Sequence, residues 1–289
     1  SDILPLRDTL NLNATAAESS YMLQNTYGRQ WLKRLLEARG DEMEEIAAET
    51  GAHQSSLEAL KRKLSQFEQY DFFTTRPSQD SHDVLDALLE TLDDGKSVVL
   101  EFGRYDDLKV YLMVANAITR RIRRKYEEKT NRYRQTQQEA DKPRPLMITI
   151  EEAHKFLAPG IANETPFGKI AREMRKFFVS LLVVDQRPSA IDEEVMSQLG
   201  TKMIAKLNDD KDISNALVGT SDSSSLRQVL ASLDAKQQAL LLGHAVPMPI
   251  VVRTRTYGPD FYDDLRNGPL AQNTPSDTDD PDELMGELF

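Results

Sequence analysis

Three stretches place polar, reactive side chains directly after apolar runs. Residues 145–160 read PLMITIEEAHKFLAPG, an apolar run that ends in adjacent Glu151 and Glu152. Residues 179–187 read VSLLVVDQR and end in Asp185, Gln186 and Arg187. Residues 201–209 read TKMIAKLND and end in Asn208 and Asp209. Two like charges at the edge of an apolar region are costly unless a cation or a proton transfer uses them. An apolar strand followed by acid–Glu is the Walker B arrangement. There the first acid holds magnesium, usually through water, and the second polarises the water that attacks a γ-phosphate. A polar residue ending the neighbouring strand, here Gln186, is placed to sense or orient that phosphate. The plain alternative is a helix start, EEAHKF, with two solvated carboxylates. DQRP at the matching place after the next apolar run favours the chemical reading.

Such residues need strands to carry them. PLMITI, VSLLVVD, TKMIAKL and an earlier run, KSVVLEF (96–102), are short apolar stretches read as buried strands, and ALLLG and PIVVRTR close the series. Helical patterns separate them. Tyr111, Ala115, Ile118, Ile122 and Tyr126 form the apolar stripe of a long helix over about 106–140, and ETPFGKIAREMRKF opens with Thr165 as cap and Pro166 at the first helical position. Strands alternating with helices predict an α/β fold with a mostly parallel sheet, whose ligands sit outside the carboxyl ends of the strands. Before residue 96 the chain reads as helices over 16–70 and 81–95, the latter capped by Asp80 or Ser81 and stopped by Gly95. Three parts follow: a helical subdomain over 1–95, the sheet-bearing core over 96–265, and an acidic tail over 266–289. The last twenty residues hold six acids and no base, and read as disordered.

Composition narrows the classes. The 289 residues are 39% hydrophobic and 29% charged, which suits a globular protein with a sizeable core. Cysteine is absent, which excludes disulfides and thiolate chemistry, and the four histidines show no metal-ligand spacing. No apolar run approaches the roughly 18 residues of a membrane span and no signal peptide opens the chain, so a cytoplasmic location is expected. A net charge of −11 argues against a protein coated in nucleic acid but leaves room for a local basic channel. The densest basic run, RRIRRKYEEKTNRYR (120–134), carries eight positive residues against two negative and suits DNA phosphates, a partner or a solvated helix end. Ala47, Gly51 and Leu57 have helix-turn-helix spacing, yet Glu44, Glu45 and Glu49 oppose phosphate contact, so a plain helical bundle is favoured.

Taken together, ITIEEAHKF, GKIAREMRKFFVSLLVVDQRPSAIDEEVMSQLGTKMIAKLNDDKDI and GHAVPMPIVVRTR resemble the HerA group of the HerA/FtsK ATPases, densely over about 96–258 and more loosely before. The resemblance implies a RecA-like ATPase core and a homo-hexameric motor that translocates double-stranded DNA using ATP and Mg2+. It also implies a NurA-type nuclease partner in DNA end processing. Carried over by position, Glu152 corresponds to the catalytic glutamate, Glu151 to the magnesium-side acid and Gln186 to the strand-end sensor. Arg175 and Arg172 lie on the basic helix that presents arginines to a neighbour's nucleotide, and Lys206 is a further basic residue near the site. Two departures stand out. Glu151 replaces the commoner Asp, and G-x-x-x-x-G-K-[ST] occurs nowhere in the 289 residues. That loop supplies the N–H nest and lysine that grip the phosphates. The expectation is therefore a C-terminal portion of a longer ATPase, with its P-loop before Ser1, inactive alone. Rival readings are a related motor in conjugation or anti-phage defence, and a non-catalytic scaffold subunit.

Overall fold

Helical and strand periodicities resolve into two compact units, residues 1–200 with 209–221 and residues 201–208 with 222–289. The structure, a computed structural model, describes residues 10, 12–70, 73, 84–101, 107–162, 165, 167–220 and 222–267. The first unit opens with α1 (Ala14–Tyr27), α2 (Trp31–Glu37), α3 (Asp41–Thr50) and α4 (Gln54–Leu64). Asn13 caps α1, its side-chain oxygen accepting from the Ala16 amide at 2.7 Å, which satisfies one of the unpaired donors of the first turn. Between α3 and α4 the chain turns through Gly51, at φ +73°, whose amide donates to the Ala47 carbonyl at 2.9 Å. That left-handed conformation suits glycine because it has no Cβ to clash. Leu23, Leu35, Ile46, Leu57, Leu60 and Leu64 are fully buried and knit the four helices together. The helix-turn-helix spacing thus describes a real turn, and its leucine is core.

Further along come α5 (Val84–Asp93) and the 29-residue α6 (Leu108–Thr136), capped by Asp107. α6 buries Val110, Leu112, Ala115, Ile122 and Tyr126, and ends where Gln137 turns left-handed at φ 55°. Then β1 (Leu146–Glu151), α7 (His154–Leu157), α8 (Phe167–Glu173), β2 (Val179–Val184), α9 (Glu193–Gln198) and α10 (Asp210–Ala216) complete the unit. β1 and β2 pair in parallel, with Ile148 opposite Leu181, Ile150 opposite Val183 and Glu151 opposite Val184. The second unit holds β3 (Thr201–Ala205), α11 (Ser223–Ser232), β4 (Gln238–Gly243), β5 (Ile250–Arg253) and α12 (Pro259–Asn267).

The α/β class follows directly from these elements, while several details differ from the sequence reading. Residues 96–101, expected as a strand, lie outside helix and strand, with Val99 83% exposed. An apolar run becomes a strand only where a neighbouring strand completes its hydrogen bonds, and β1 has β2 as its partner in a two-stranded sheet. Parallel pairing is confined to β1 and β2 among the described strands. β3, β4 and β5 run antiparallel to their neighbours, as the short connection from Gly243 to Ile250 requires for the last two. Thr165 does not act through a helix-capping bond: its hydroxyl lies 3.2 Å from the carbonyls of Phe156 and Ala162. Pro166, the Asp80 or Ser81 cap and the acidic tail beyond Asn267 lie outside the described residues.

Candidate active site

Because β1 and β2 are parallel and in register, both carboxyl ends reach the same rim. Glu151 is the last residue of β1 and is exposed. Glu152 follows at φ 50°, a backbone region that few residues with a Cβ adopt, and its side chain is 48% exposed. Across the rim, the Gln186 side-chain amide points at the Glu152 carboxylate, Nε2 to Oε1, at a loose 3.5 Å. The structure therefore brings together Glu152 and Gln186, with Glu151 adjacent.

Sequence reading placed Asp185 at a strand end without connecting it to His154, and this pair ties the turns. Asp185, 4% exposed at its side chain, accepts from the His154 amide at 2.7 Å and lies 2.9 Å from the His154 ring Nδ1. Its other oxygen accepts from the Arg187 amide at 2.7 Å. Burial alone raises a carboxyl, but the His154 amide, the Arg187 amide and the His154 ring hold Asp185 below the usual carboxylate range. The Glu152 carboxylate comes within 3.9 Å of the same ring nitrogen. Beyond Gln186, α10 clamps the loop. The Ser189 amide donates to Asp212 at 3.0 Å, and Asn215 Nδ2 donates to the carbonyls of Pro188 at 2.7 Å and Ile191 at 3.1 Å. A third tie runs from the Asp192 amide to the Leu157 carbonyl at 2.8 Å.

Other candidate residues lie elsewhere. Arg175 is exposed on the short turn Met174–Phe177 that precedes β2. A six-residue strand spans roughly 20 Å, so Arg175 sits at the opposite end of β2 from Gln186. Arg172 belongs to α8, its side chain outside the described residues. Lys206 follows β3 in the second unit. Among the described residues, no group of three or more acids and histidines forms a metal cluster. Magnesium is commonly held by one or two carboxylates together with phosphate oxygens and water, a role open to a single exposed acid such as Glu151.

The basic run on α6 is largely engaged. Arg121 pairs with Asp86 at 2.5 Å, Arg123 with Glu127 at 2.8 Å, Arg132 with Asp141 at 2.8 Å, and Lys129 with Asp93. Two of these acids belong to α5, which therefore neutralises part of the run. Arg124 and Lys125 remain exposed, Arg124 only 3.9 Å from Glu128.

An α/β unit with acids and an amide at the carboxyl ends of parallel strands is the setting in which nucleotide-hydrolysing sites are built. Comparison with known proteins narrows this. The family model "Helicase HerA, central domain" matches residues 1–122. The DNA double-strand break repair helicase HerA of Pyrococcus furiosus is 38% identical over 112 residues, 38% of this chain and 20% of that protein. Its namesake in Sulfolobus acidocaldarius is 31% identical over 163 residues, 55% of this chain and 31% of that protein. Over these segments the sequence is similar to HerA-type helicases. Aligned segments span between a fifth and a third of these relatives. Among solved structures, the genome packaging NTPase B204 from Sulfolobus turreted icosahedral virus 2, in complex with ATP-gammaS, gives a TM-score of 0.38 at 12% identity. That match covers 58% of this chain and 72% of the other, and the score is too low to establish a shared fold. No helix among the described residues is long and apolar enough to cross a membrane.

Proposed function

We propose that this chain carries the hydrolytic rim of a HerA-type, ATP-driven motor acting on double-stranded DNA. The observation that carries the reading is the meeting of Glu152 and Gln186 on one strand-end rim, with Glu151 alongside. Glu152, half exposed, is free to orient a water for attack on the γ-phosphate, and the Gln186 amide is free to donate to a phosphate oxygen. Glu151 would hold the magnesium ion, which neutralises charge on the phosphates when bound. The reading also needs a phosphate-gripping loop, and the motif G-x-x-x-x-G-K-[ST] does not occur in the 289 residues.

Arg175, on the far end of β2, fits a role towards a neighbouring subunit's nucleotide, with Arg172 one helical turn before it and Lys206 as an additional cation. The resemblance to HerA implies a homo-hexameric ring as the working assembly and a NurA-type nuclease as the partner in DNA end processing. The test is Glu152→Gln in the full-length protein. Nucleotide affinity should stay near wild type while DNA-stimulated turnover falls about 10²- to 10⁴-fold, the usual contribution of a positioned general base. Wild-type turnover would remove Glu152 from the mechanism. Complete absence of turnover in the unmutated full-length protein would favour a ring-joining or nuclease-holding subunit without catalysis.

A further inference from the structure

We propose that Asp185 and His154 are positioning residues, a buried carboxylate–imidazole pair that locks the turn after β1 to the turn after β2 and so holds Glu152 and Gln186 facing each other. The inference rests on the reading of Glu152 as the hydrolytic carboxylate. Its support is geometric. One carboxylate collects hydrogens from two chain segments: the His154 amide and ring from the β1 side, 31 residues before Asp185, and the Arg187 amide from the β2 side. Glu152 lies two residues before His154 and Gln186 immediately follows Asp185, so each functional side chain is tied to the clasp by one or two peptide units.

The clasp also accounts for a strained residue. A residue with a Cβ at φ 50° costs on the order of 1–3 kcal/mol and persists only where its surroundings hold it. The short bond from the His154 amide to Asp185 fixes the backbone just beyond Glu152. An ionised carboxylate has no hydrogen to give, so the His154 ring must donate from Nδ1. With the Asp185 side chain 4% exposed and the ring 24% exposed, water competes little for these bonds.

Asp185→Asn tests this in the full-length protein. An amide of the same shape has one acceptor oxygen where the carboxylate has two, so three converging donors cannot all be satisfied. The expected result is a kcat lowered about 10- to 100-fold with KM and nucleotide affinity within about threefold, since small misplacement of a reacting group costs up to about 10² in rate. Because Asp185 is buried, variants at the more accessible His154 supply a second arm. His154→Leu should lose turnover similarly, and His154→Asn, whose Nδ2 can donate from nearly the place of ring Nδ1, should recover most of it. Glu152→Gln runs in parallel. If it is inactive while Asp185→Asn turns over normally, the clasp is overturned and the site reading stands. Equal impairment of His154→Leu and His154→Asn would likewise overturn the clasp. If Glu152→Gln turns over normally, the site reading itself falls.

Discussion

Glu152 sits where a glycine would be more comfortable, and replacing it separates stability from activity. Placing a residue with a Cβ at φ 50° costs about 1–2 kcal/mol, while glycine's extra freedom in the unfolded chain returns about 0.5–1 kcal/mol of that. Comparing Glu152→Gly with Glu152→Ala cancels the lost side chain. The contacts removed in both are weak: a 3.5 Å approach to Gln186 and a 3.9 Å approach to His154, each reaching an exposed carboxylate. The glycine variant should therefore be more stable than the alanine variant by about 0.5–1 kcal/mol. For a unit of roughly 200 residues that corresponds to about 1–4 °C in Tm. Thermal unfolding of both full-length variants, followed by circular dichroism, reads the difference, and neither variant should hydrolyse ATP. An alanine variant as stable as the glycine variant would refute the claim that the backbone is under strain there. Strain retained at a residue whose side chain is needed for chemistry is the expected trade between stability and function.

Other consequences follow from the same residues. Leu57→Ala, at a fully buried site between α3 and α4, should cost about 2–5 kcal/mol in urea unfolding, and a loss under 1 kcal/mol would show that Leu57 is not core. Asp185 has a folded carboxyl value below its unfolded one, near 3.9, so its stabilisation is complete above about pH 4 and is lost as pH falls through the folded value. Asp185→Asn should accordingly weaken the acid dependence of unfolding, and identical acid limbs for the two proteins would contradict the hydrogen-bonded state. If the exposed end of the α6 run meets DNA, Arg124→Glu with Lys125→Glu should lower affinity and reduce the salt slope by about 0.9 per lost phosphate contact; unchanged titrations leave that surface solvated.

Much of the helical half was legible in the sequence because periodicity and capping are local. Gly51 and Leu57 marked the α3–α4 turn, the apolar stripe marked the long helix α6, and the two apolar runs before Glu151 and Asp185 marked the parallel strands. Features that failed depend on partners distant in sequence. KSVVLEF has the composition of a strand, yet strand formation requires a neighbour that composition cannot name. The basic run on α6 suited DNA phosphates, a partner or a solvated helix end, and its sequence gives no sign that Asp86 and Asp93 of α5, some 36 residues earlier, face it. His154 was one of four scattered histidines, and Asp185 only the first polar residue after an apolar run. Nothing in either stretch alone indicates that His154 and Asp185 meet, because the meeting depends on β1 and β2 being parallel and in register.

Register also decides which strand-end residues are free for chemistry. Along β1, Ile148 and Ile150 face the interior while Met147, Thr149 and Glu151 are exposed; along β2, Val179, Leu181 and Val183 face in while Ser180, Leu182 and Val184 are exposed. Continued alternation would send both next residues, Glu152 and Asp185, inward. A buried carboxylate must be paired or must lose its charge. The two strands meet that demand in opposite ways. Asp185 keeps the inward direction and is satisfied by two amides and a ring nitrogen. Glu152 abandons the alternation by turning its backbone to φ 50°, which leaves its carboxylate half exposed at the rim. Of two acids placed equivalently by the sheet, one becomes structure and the other stays available. The inward acid holds the turn that keeps the outward one in place.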